Sequence, residues 1–263
     1  MSDKQRFGGI DRLYGGGVTD LLAKQHVIVA GIGGVGTWAA EALARSGVGK
    51  LTLIDLDEVC ETNINRQLHA LDNTIGQSKI ELMADRIALI NPDCEVELVH
   101  DFITPHNLSE VIDLKADLML DAIDAAMVKA GLIAHCKRNK LPIITVGSAG
   151  GKSDPRLITS GDLSKTINDP LAAKVRGTLR NRFNFSRNLS RRFGVECIYS
   201  TEQIAYPKPD GSVNGKKYLP EGITKMDCSA GFGASTMVTG TFGFIAASRT
   251  IDKLIARATN RQA

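Results

Sequence analysis

Apolar positions along this chain follow two rhythms: short continuous runs, and residues spaced by three and four. His26–Ala30 is a β-branched run, apolar after its first residue, and reads as a buried strand. Gly31, Gly33, Gly34 and Gly36 follow at once. Residues 37–46 then take helical spacing, with Trp38, Ala42 and Arg45 on one side. Lys50–Ile54 is the next strand, closed by Asp55. Residues 75–90 predict an amphipathic helix, because Ile80, Met83, Ala84, Ile87 and Ile90 repeat at helical intervals. Asn91-Pro92 ends it. Glu95–Val99 reads as a strand, 104–114 as a helix capped near Thr104, and 117–121 as a buried strand ending in a carboxylate. A helix over 125–140, with Asp124 placed to cap it, leads to a strand over 142–146 that runs into Gly147-Ser148-Ala149-Gly150-Gly151.

Strands alternating with helices predict an α/β fold: a Rossmann-like, doubly wound, mostly parallel sheet. Residues 5–22 predict a flexible arm and a short helix, since Gly8-Gly9 and Gly15-Gly16-Gly17 bracket the apolar residues there. Glu196–Ser200 and 203–206 read as strands, 207–219 as a turn-rich hairpin or loop, and 249–261 as an amphipathic basic helix. Residues 230–247 are uncharged and long enough to span a bilayer. Their glycine content and scarcity of Leu, Ile and Val predict instead a buried helix, with Gly231, Gly233, Gly240 and Gly243 allowing close contact and no stable membrane insertion. The whole reads as a single domain over 1–263, with a basic insertion at 151–227 and a C-terminal extension of strands and helices.

Composition narrows the classes. A length of 263 residues suits one large domain, and a net charge of +3 does not by itself demand a nucleic-acid partner. Cys60, Cys94, Cys136, Cys197 and Cys228 include no Cys-x-x-Cys pair, so neither a zinc site nor a disulfide framework is expected. The N-terminus is polar, without the apolar run of a signal peptide, so the cytoplasm is the expected location. Charge is concentrated locally: residues 151–195 hold ten Lys or Arg against three Asp. Arg176, Arg180, Arg182, Arg187, Arg191 and Arg192 are interleaved there with Phe183, Phe185 and Phe193. Such a segment suits a nucleic-acid surface, binding phosphates and unstacked bases. A solvated helical face with core aromatics is the competing reading.

The strand–glycine–helix unit is built for a nucleotide. Glycines let the backbone approach a phosphate, the helix N-terminus offers free N–H groups, and Asp55 is placed for a ribose hydroxyl. Asp57, Asn63, Arg66 and Gln67 lie in the polar loop just past the second strand, where an Arg can bind phosphate oxygens bidentately. Lys79 falls in the first turn of its helix, where a cation is unfavourable unless an anionic ligand compensates. Asp121 and Asp124 follow a strand's carboxyl end and suggest a magnesium ion carrying phosphates. A nicotinamide enzyme needs neither Lys79 nor the paired carboxylates.

Taken together, Gly31-Ile32-Gly33-Gly34-Val35-Gly36, Asp55, Asn63-x-Asn65-Arg66-Gln67, Gly76-Gln77-x-Lys79 and Asp121-x-x-Asp124 resemble, in order and spacing, the ubiquitin-activating-enzyme-like superfamily, whose members adenylate carboxylates. That resemblance implies that the glycine loop and Asp55 bind ATP, that Arg66 and Lys79 hold its phosphates with Asn63 nearby, and that Asp124 binds magnesium. Sulfur-carrier activators of the superfamily carry two zinc-binding Cys-x-x-Cys pairs, which this chain lacks. Its Arg6-Phe7, Arg12-Leu13-Tyr14-Gly15, Ile167–Ala172 and Met226–Gly233 stretches are instead similar to the bacterial tRNA threonylcarbamoyladenosine dehydratases. These activate the threonyl carboxylate of the modified adenosine next to the anticodon with ATP and close it to a ring.

The likeness implies a tRNA substrate, met by Arg176, Arg180, Arg182, Arg191 and Arg192, and a homodimer. The arginine that superfamily members extend to the partner subunit's ATP is replaced here by Gly9, which leaves Arg6 and Arg12 as substitutes. Cys197 and Cys228 are the nucleophile candidates should a thioester form. Activation of the C-terminal carboxylate of a small sulfur-carrier protein is the alternative reading. A monovalent cation site and a sulfur-transfer protein partner are left open.

Overall fold

The computed structural model describes residues 3–208, 210–215 and 232–262. The chain opens with helices α1 (Asp3–Tyr14) and α2 (Val18–Leu22), followed by β1 (His26–Ala30), α3 (Gly36–Arg45) and β2 (Lys50–Ile54). Next come α4 (Lys79–Ile90), β3 (Glu95–Val99), a one-turn α5 (Leu108–Val111), β4 (Leu118–Asp121), α6 (Ala126–Arg138) and β5 (Ile143–Val146). The second half contains β6 (Ile158–Asp162), α7 (Pro170–Arg182), β7 (Glu196–Ser200), the hairpin strands β8 (Tyr206–Pro207) and β9 (Val213–Asn214), and α8 (Thr236–Gln262).

Seven strands form one sheet in the order β3-β2-β1-β4-β5-β7-β6. All pairs are parallel except β6 with β7. Alternation along each strand divides the core in two, since successive side chains point to opposite faces. Val27, Val29, Leu51, Leu53, Leu118 and Leu120 pack with α3, α4 and α8 on one face. Ile28, Ala30, Ile54, Met119, Ile143 and Cys197 pack with α5, α6 and α7 on the other. Helices cover both faces, which is why β1, β4 and β5 are buried along their whole length. Strand order reverses between β1 and β4, so the ligand crevice of such a sheet opens beyond their carboxyl ends.

Several expectations give way to tertiary packing. The predicted N-terminal arm is helix α1: Asp11 accepts from Thr19 N at 2.9 Å and Thr19 Oγ1 at 2.8 Å, and Phe7 packs on Gly47. Those contacts outweigh the helix cost of Gly8 and Gly9. The helix expected over 104–114 shrinks to Leu108–Val111, because Thr104 N and Oγ1 both donate to Asn107 Oδ1 in a turn of their own. The helix expected from residue 75 starts at Lys79, after Gly76 takes φ +81°. The strand expected over 203–206 is only Tyr206–Pro207, paired with Val213–Asn214.

The basic segment is no appendage, since it contributes β6 to the sheet edge and α7 to the second core. The separate apolar and basic helices expected at the C-terminus are one continuous 27-residue helix, α8. No described helix is long and apolar enough to cross a membrane. Instead, α8 lies against α3: a Cβ on Gly243 would sit 2.7 Å from both Trp38 Cβ and the Val35 carbonyl oxygen. Gly240 passes the Trp38 ring, whereas a Cβ on Gly233 would meet no described atom within 4 Å and Gly231 lies outside the described residues. Arg249 and Lys253 then pin α8 to Glu196 of β7 at 2.6 and 2.9 Å.

Gly243→Val should therefore cost roughly 1–3 kcal/mol by overpacking a helix–helix contact. Gly177→Ala, within α7 and with no described atom outside its own helix backbone within 4 Å of an added methyl, should stabilise by about 0.5–1 kcal/mol. Urea midpoints of the two variants, measured side by side, check the contrast.

Candidate active site

The glycine loop can close only without side chains. Gly31 takes φ +85°, and a Cβ there would lie 3.0 Å from the carbonyl group of Ala122 in the loop after β4. A Cβ on Gly36 would fall 1.8 Å from the Gly31 carbonyl oxygen. The N-terminus of α3 is thus laid directly on the end of β1, and its first N–H groups have no helical partner. Asp55 ties the loop to β2: its Oδ2 accepts from Ile32 N at 2.6 Å and its Oδ1 from Asp57 N at 2.9 Å. On the other side His69 Nε2 donates to the Ile32 carbonyl at 3.1 Å. Burial drives the His69 pKa down to about 4, with the Lys79 charge adding to the effect, so the ring is neutral.

Loop 61–67 closes over the glycines. Gly34 sits under the Arg66 stem and Thr239, with 3.3 and 3.4 Å left for a Cβ. Gln67 Nε2 lies 3.9 Å from the Cβ position of Gly33. The loop is clamped from several directions. Trp38 Nε1 donates to the Arg66 carbonyl at 3.1 Å, Thr236 Oγ1 to the Asn65 carbonyl at 2.7 Å, and Asn65 Nδ2 to the Ala234 carbonyl at 2.9 Å. Asn63 is buried, and its Oδ1 accepts from Cys60 N at 3.2 Å, so it shapes the loop. The Arg66 guanidinium is held by the Thr62 carbonyl at 2.6 Å and Asn65 Oδ1 at 2.9 Å. Lys79, the first residue of α4, is 5% exposed and reaches Asp57 Oδ2 at 2.7 Å.

The expected carboxylate pair separates into two roles. Asp121 has no exposed surface. Its Oδ2 takes Lys129 Nζ at 2.8 Å and Thr145 Oγ1 at 2.6 Å, and its Oδ1 takes Ile123 N at 3.1 Å. Its side chain therefore holds the post-β4 loop and does not face the crevice. Asp124 is exposed and has no side-chain partner among the described residues; the helix-capping position falls to Ala125. No cluster of three or more metal-ligating side chains occurs among the described residues. One free carboxylate nevertheless fits magnesium, which commonly takes one or two carboxylates and completes its shell with phosphate oxygens and water. The cradle fits a nucleotide too: Gln67 Oε1 is buried beside the glycines without a partner among the described residues, an acceptor that a ligand hydroxyl or amino group can satisfy.

Comparison with known proteins agrees along the whole chain. The profile of the ThiF family matches residues 10–263. The chain belongs to the ThiF family. Among curated relatives, the tRNA threonylcarbamoyladenosine dehydratase of Escherichia coli K12 is 52% identical over 258 residues, covering 98% of this chain and 96% of that protein. The protein of the same name from Haemophilus influenzae Rd is 51% identical over 257 residues, covering 97% and 95%. Among solved structures, the E. coli tRNA N6-threonylcarbamoyladenosine dehydratase, TcdA, in complex with ATP superposes with TM-score 0.87 at 48% identity, covering 99% of this chain and 97% of that one. The ThiF-family chain thus has the ATP-dependent adenylating fold that its motifs imply.

Other expected residues lie apart from the crevice. Arg6 Nη1 donates at 2.7 Å to the carbonyl of Ile90, the last residue of α4. Lys79 begins that helix, roughly 16 Å away, so Arg6 is remote from its own chain's glycine loop. Arg12 is on the same N-terminal helix, against Gly8 and Gly9. In the basic segment, Arg182, Arg191 and Arg192 are exposed, whereas Arg176 is bound to Thr166 and Arg180 stacks over Phe193 at 5.2 Å. Phe193 is buried, and Phe183 and Phe185 pack against the second core. The aromatics are therefore core residues and not a stacking platform. Cys197 is wholly buried in β7, and burial pushes its thiol far up, which removes it as a nucleophile. Cys228 lies outside the described residues.

Periodicity did not mark Lys129, His69 or Lys152. Lys152 is 5% exposed; its Nζ donates to the Asn168 carbonyl at 3.0 Å and also to the Glu202 carbonyl. Lys129→Met should cost about 3–5 kcal/mol, because it strands a buried carboxylate; calorimetric unfolding of the variant measures it. His69 adds a pH dependence. Its folded pKa lies below the ordinary 6.5, so its contribution is intact above that value and is lost as pH falls toward 4. By about pH 5 the loss should reach roughly 2 kcal/mol. Denaturant titrations from neutral pH downward should show that slope, and His69→Gln should flatten it.

Proposed function

We propose that the chain is an ATP-dependent tRNA threonylcarbamoyladenosine dehydratase. The observation that carries the reading is the convergence of the glycine cradle, Arg66, Lys79 and Asp124 at one switch point, in a chain similar to dehydratases from end to end. The threonyl carboxylate attacks the α-phosphorus of ATP, forming an acyl-adenylate and releasing pyrophosphate. A nitrogen or oxygen of the substrate's own carbamoyl group then attacks the activated carbonyl, AMP leaves, and the ring closes with net loss of water. Both reactants of the first step are anions, so catalysis depends on fixed positive charge around the transferring group. Arg66 and Lys79 supply it, and the α3 N-terminus adds N–H donors. Magnesium, held by Asp124 with phosphate oxygens, would neutralise further charge there. The tethered attacking group has a high effective concentration, so ring closure needs no enzyme nucleophile; Cys228 is the remaining candidate if one is used.

The tRNA lies, in this reading, across the exposed Arg182, Arg191 and Arg192. A homodimer accounts for the N-terminal arginines. Arg6 lies beside Arg86 and the 84%-exposed Leu89 at the α4 end far from its own crevice, so a phosphate that Arg6 or Arg12 touches belongs to a second copy's ATP.

The test supplies purified protein with ATP, magnesium and tRNA carrying threonylcarbamoyladenosine, with unmodified tRNA as control. AMP should form only with the modified tRNA, and the digested nucleoside should lose the mass of one water. Arg66→Ala and Lys79→Ala should each lower kcat by about 10²–10³. No AMP from folded, ATP-binding protein would contradict the reading; AMP formed with a small sulfur-carrier protein instead would transfer it to that carboxylate.

A further inference from the structure

A cavity of about 300 Å³ opens at the same edge of the sheet, lined by Asn168, Pro170, Arg176, Gln203, Ile204 and Tyr206. No nucleotide-site residue described above lines it. Its walls are tied to the loop that leaves β5, the strand next to β4. The loop leaving β5, beside β4, places Ser148 N on Asp169 Oδ2 at 2.8 Å, and Asp169 Oδ1 caps α7 through Ala172 N at 2.8 Å. Gly147 permits the approach: a Cβ there would sit 1.9 Å from Asp169 Oδ2. The far end of the same loop exchanges a backbone bond with the cavity wall, Ala205 N to the Gly151 carbonyl at 2.8 Å. Lys152 fastens Asn168 to the end of β7.

The lining has a definite chemistry. Tyr206 presents a ring pinned from behind by Phe232, with centroids 5.3 Å apart, and its backbone pairs in the β8–β9 hairpin. Asn168 and Gln203 supply amides; Asn168 Nδ2 is committed to the Thr201 carbonyl at 2.7 Å, which fixes its orientation. Arg176, anchored on Thr166, adds the positive charge. Asp169 also lines the cavity and partly offsets the Arg176 charge, but it is 4% exposed and its two oxygens already accept from the Ser148 and Ala172 N–H groups. A pinned ring, oriented amides and one guanidinium suit a planar heterocycle attached to a phosphodiester. The volume suits a base better than a folded peptide.

Resting on the dehydratase reading, we propose that this cavity takes the unstacked purine base of the substrate nucleotide, stacked on Tyr206, with Asn168 and Gln203 at its edge and Arg176 toward the flanking backbone. Neighbouring strands lie about 4.8 Å apart, so β7 stands roughly 10 Å from β4. The threonylcarbamoyl arm between purine nitrogen and carboxylate spans roughly 6 Å. With the width of the base added, the arm carries the carboxylate back to the adenylation centre.

The test compares wild type, Tyr206→Ala, Tyr206→Phe and Gln203→Ala in AMP release with modified tRNA. In parallel, equilibrium dialysis measures binding of the free nucleoside threonylcarbamoyladenosine. Tyr206→Ala should raise KM for the tRNA by about 10-fold or more and weaken nucleoside binding in step. KM for ATP should not move, and Tyr206→Phe should restore most of the loss. Gln203→Ala, at an exposed position, should weaken nucleoside binding several-fold without disturbing the fold. Wild-type affinity in both Tyr206→Ala and Gln203→Ala would overturn the proposal, as would displacement of the nucleoside by a carrier protein's C-terminal tail. Absence of AMP with wild type would instead overturn the dehydratase reading, and the dialysis result would still decide the cavity.

Discussion

Beneath the crevice, a buried ion pair holds the chemistry in place. Asp121 and Lys129 are 0% and 1% exposed, and such a pair persists only if its remaining hydrogen bonds are satisfied. Here they are. Lys129 Nζ meets Asp121 Oδ2 at 2.8 Å, the Asp121 carbonyl at 3.2 Å and Thr145 Oγ1 at 3.1 Å. The network joins β4, β5 and α6 at the level where the strands end. From that fixed point the chain can turn so that Ala122 contacts Gly31 and Asp124 is released to solvent. The glycine loop, the exposed carboxylate and the loop after β5 all take their positions from it.

A second constraint comes from the other face. The close approach of α8 to α3 at Gly243 brings Thr236 and Thr239 onto the carbonyls of Asn65 and Arg66. The loop segment that carries Arg66 is thereby held by a helix about 170 residues later in the chain. The uncharged character of α8's first half then has a local cause: it packs against α3 under the nucleotide loop. Preorganised positive charge is what a reaction between two anions requires. Arg66 and Lys79 are each oriented by oxygen partners in the same chain, which limits the reorganisation left for substrate binding.

Much of this could be read along the sequence. The strand–glycine–helix unit declares itself because only glycine tolerates the approaches at Gly31 and Gly36, and the central strands β1, β4 and β5 because burial on both faces leaves them mostly apolar. The spacing from Asp55 through Arg66 to Lys79 marks the two cations for which a phosphate-binding role is proposed. What stayed hidden depends on contacts between distant residues. Nothing local distinguishes Asp121, whose carboxylate is sequestered by Lys129, from Asp124, which is free. The glycines near residue 8 suggest an arm until Asp11 is seen bonded to Thr19. Phe183, Phe185 and Phe193 look like partners for RNA bases, yet the second core claims them. Tyr206 lies beyond the arginine-rich stretch of residues 176–192, and nothing in its local sequence sets it apart from an ordinary strand residue.

The chemistry turns on activation of the carboxylate as an adenylate. The most direct test labels that carboxylate with heavy oxygen in the modified tRNA and analyses the nucleotide released. In-line attack followed by ring closure breaks the acyl C–O bond, so one labelled oxygen should appear in the phosphate of AMP. Unlabelled AMP, or label recovered in inorganic phosphate alongside ADP, would contradict adenylation and point to activation through an acyl phosphate or to direct hydrolysis of ATP.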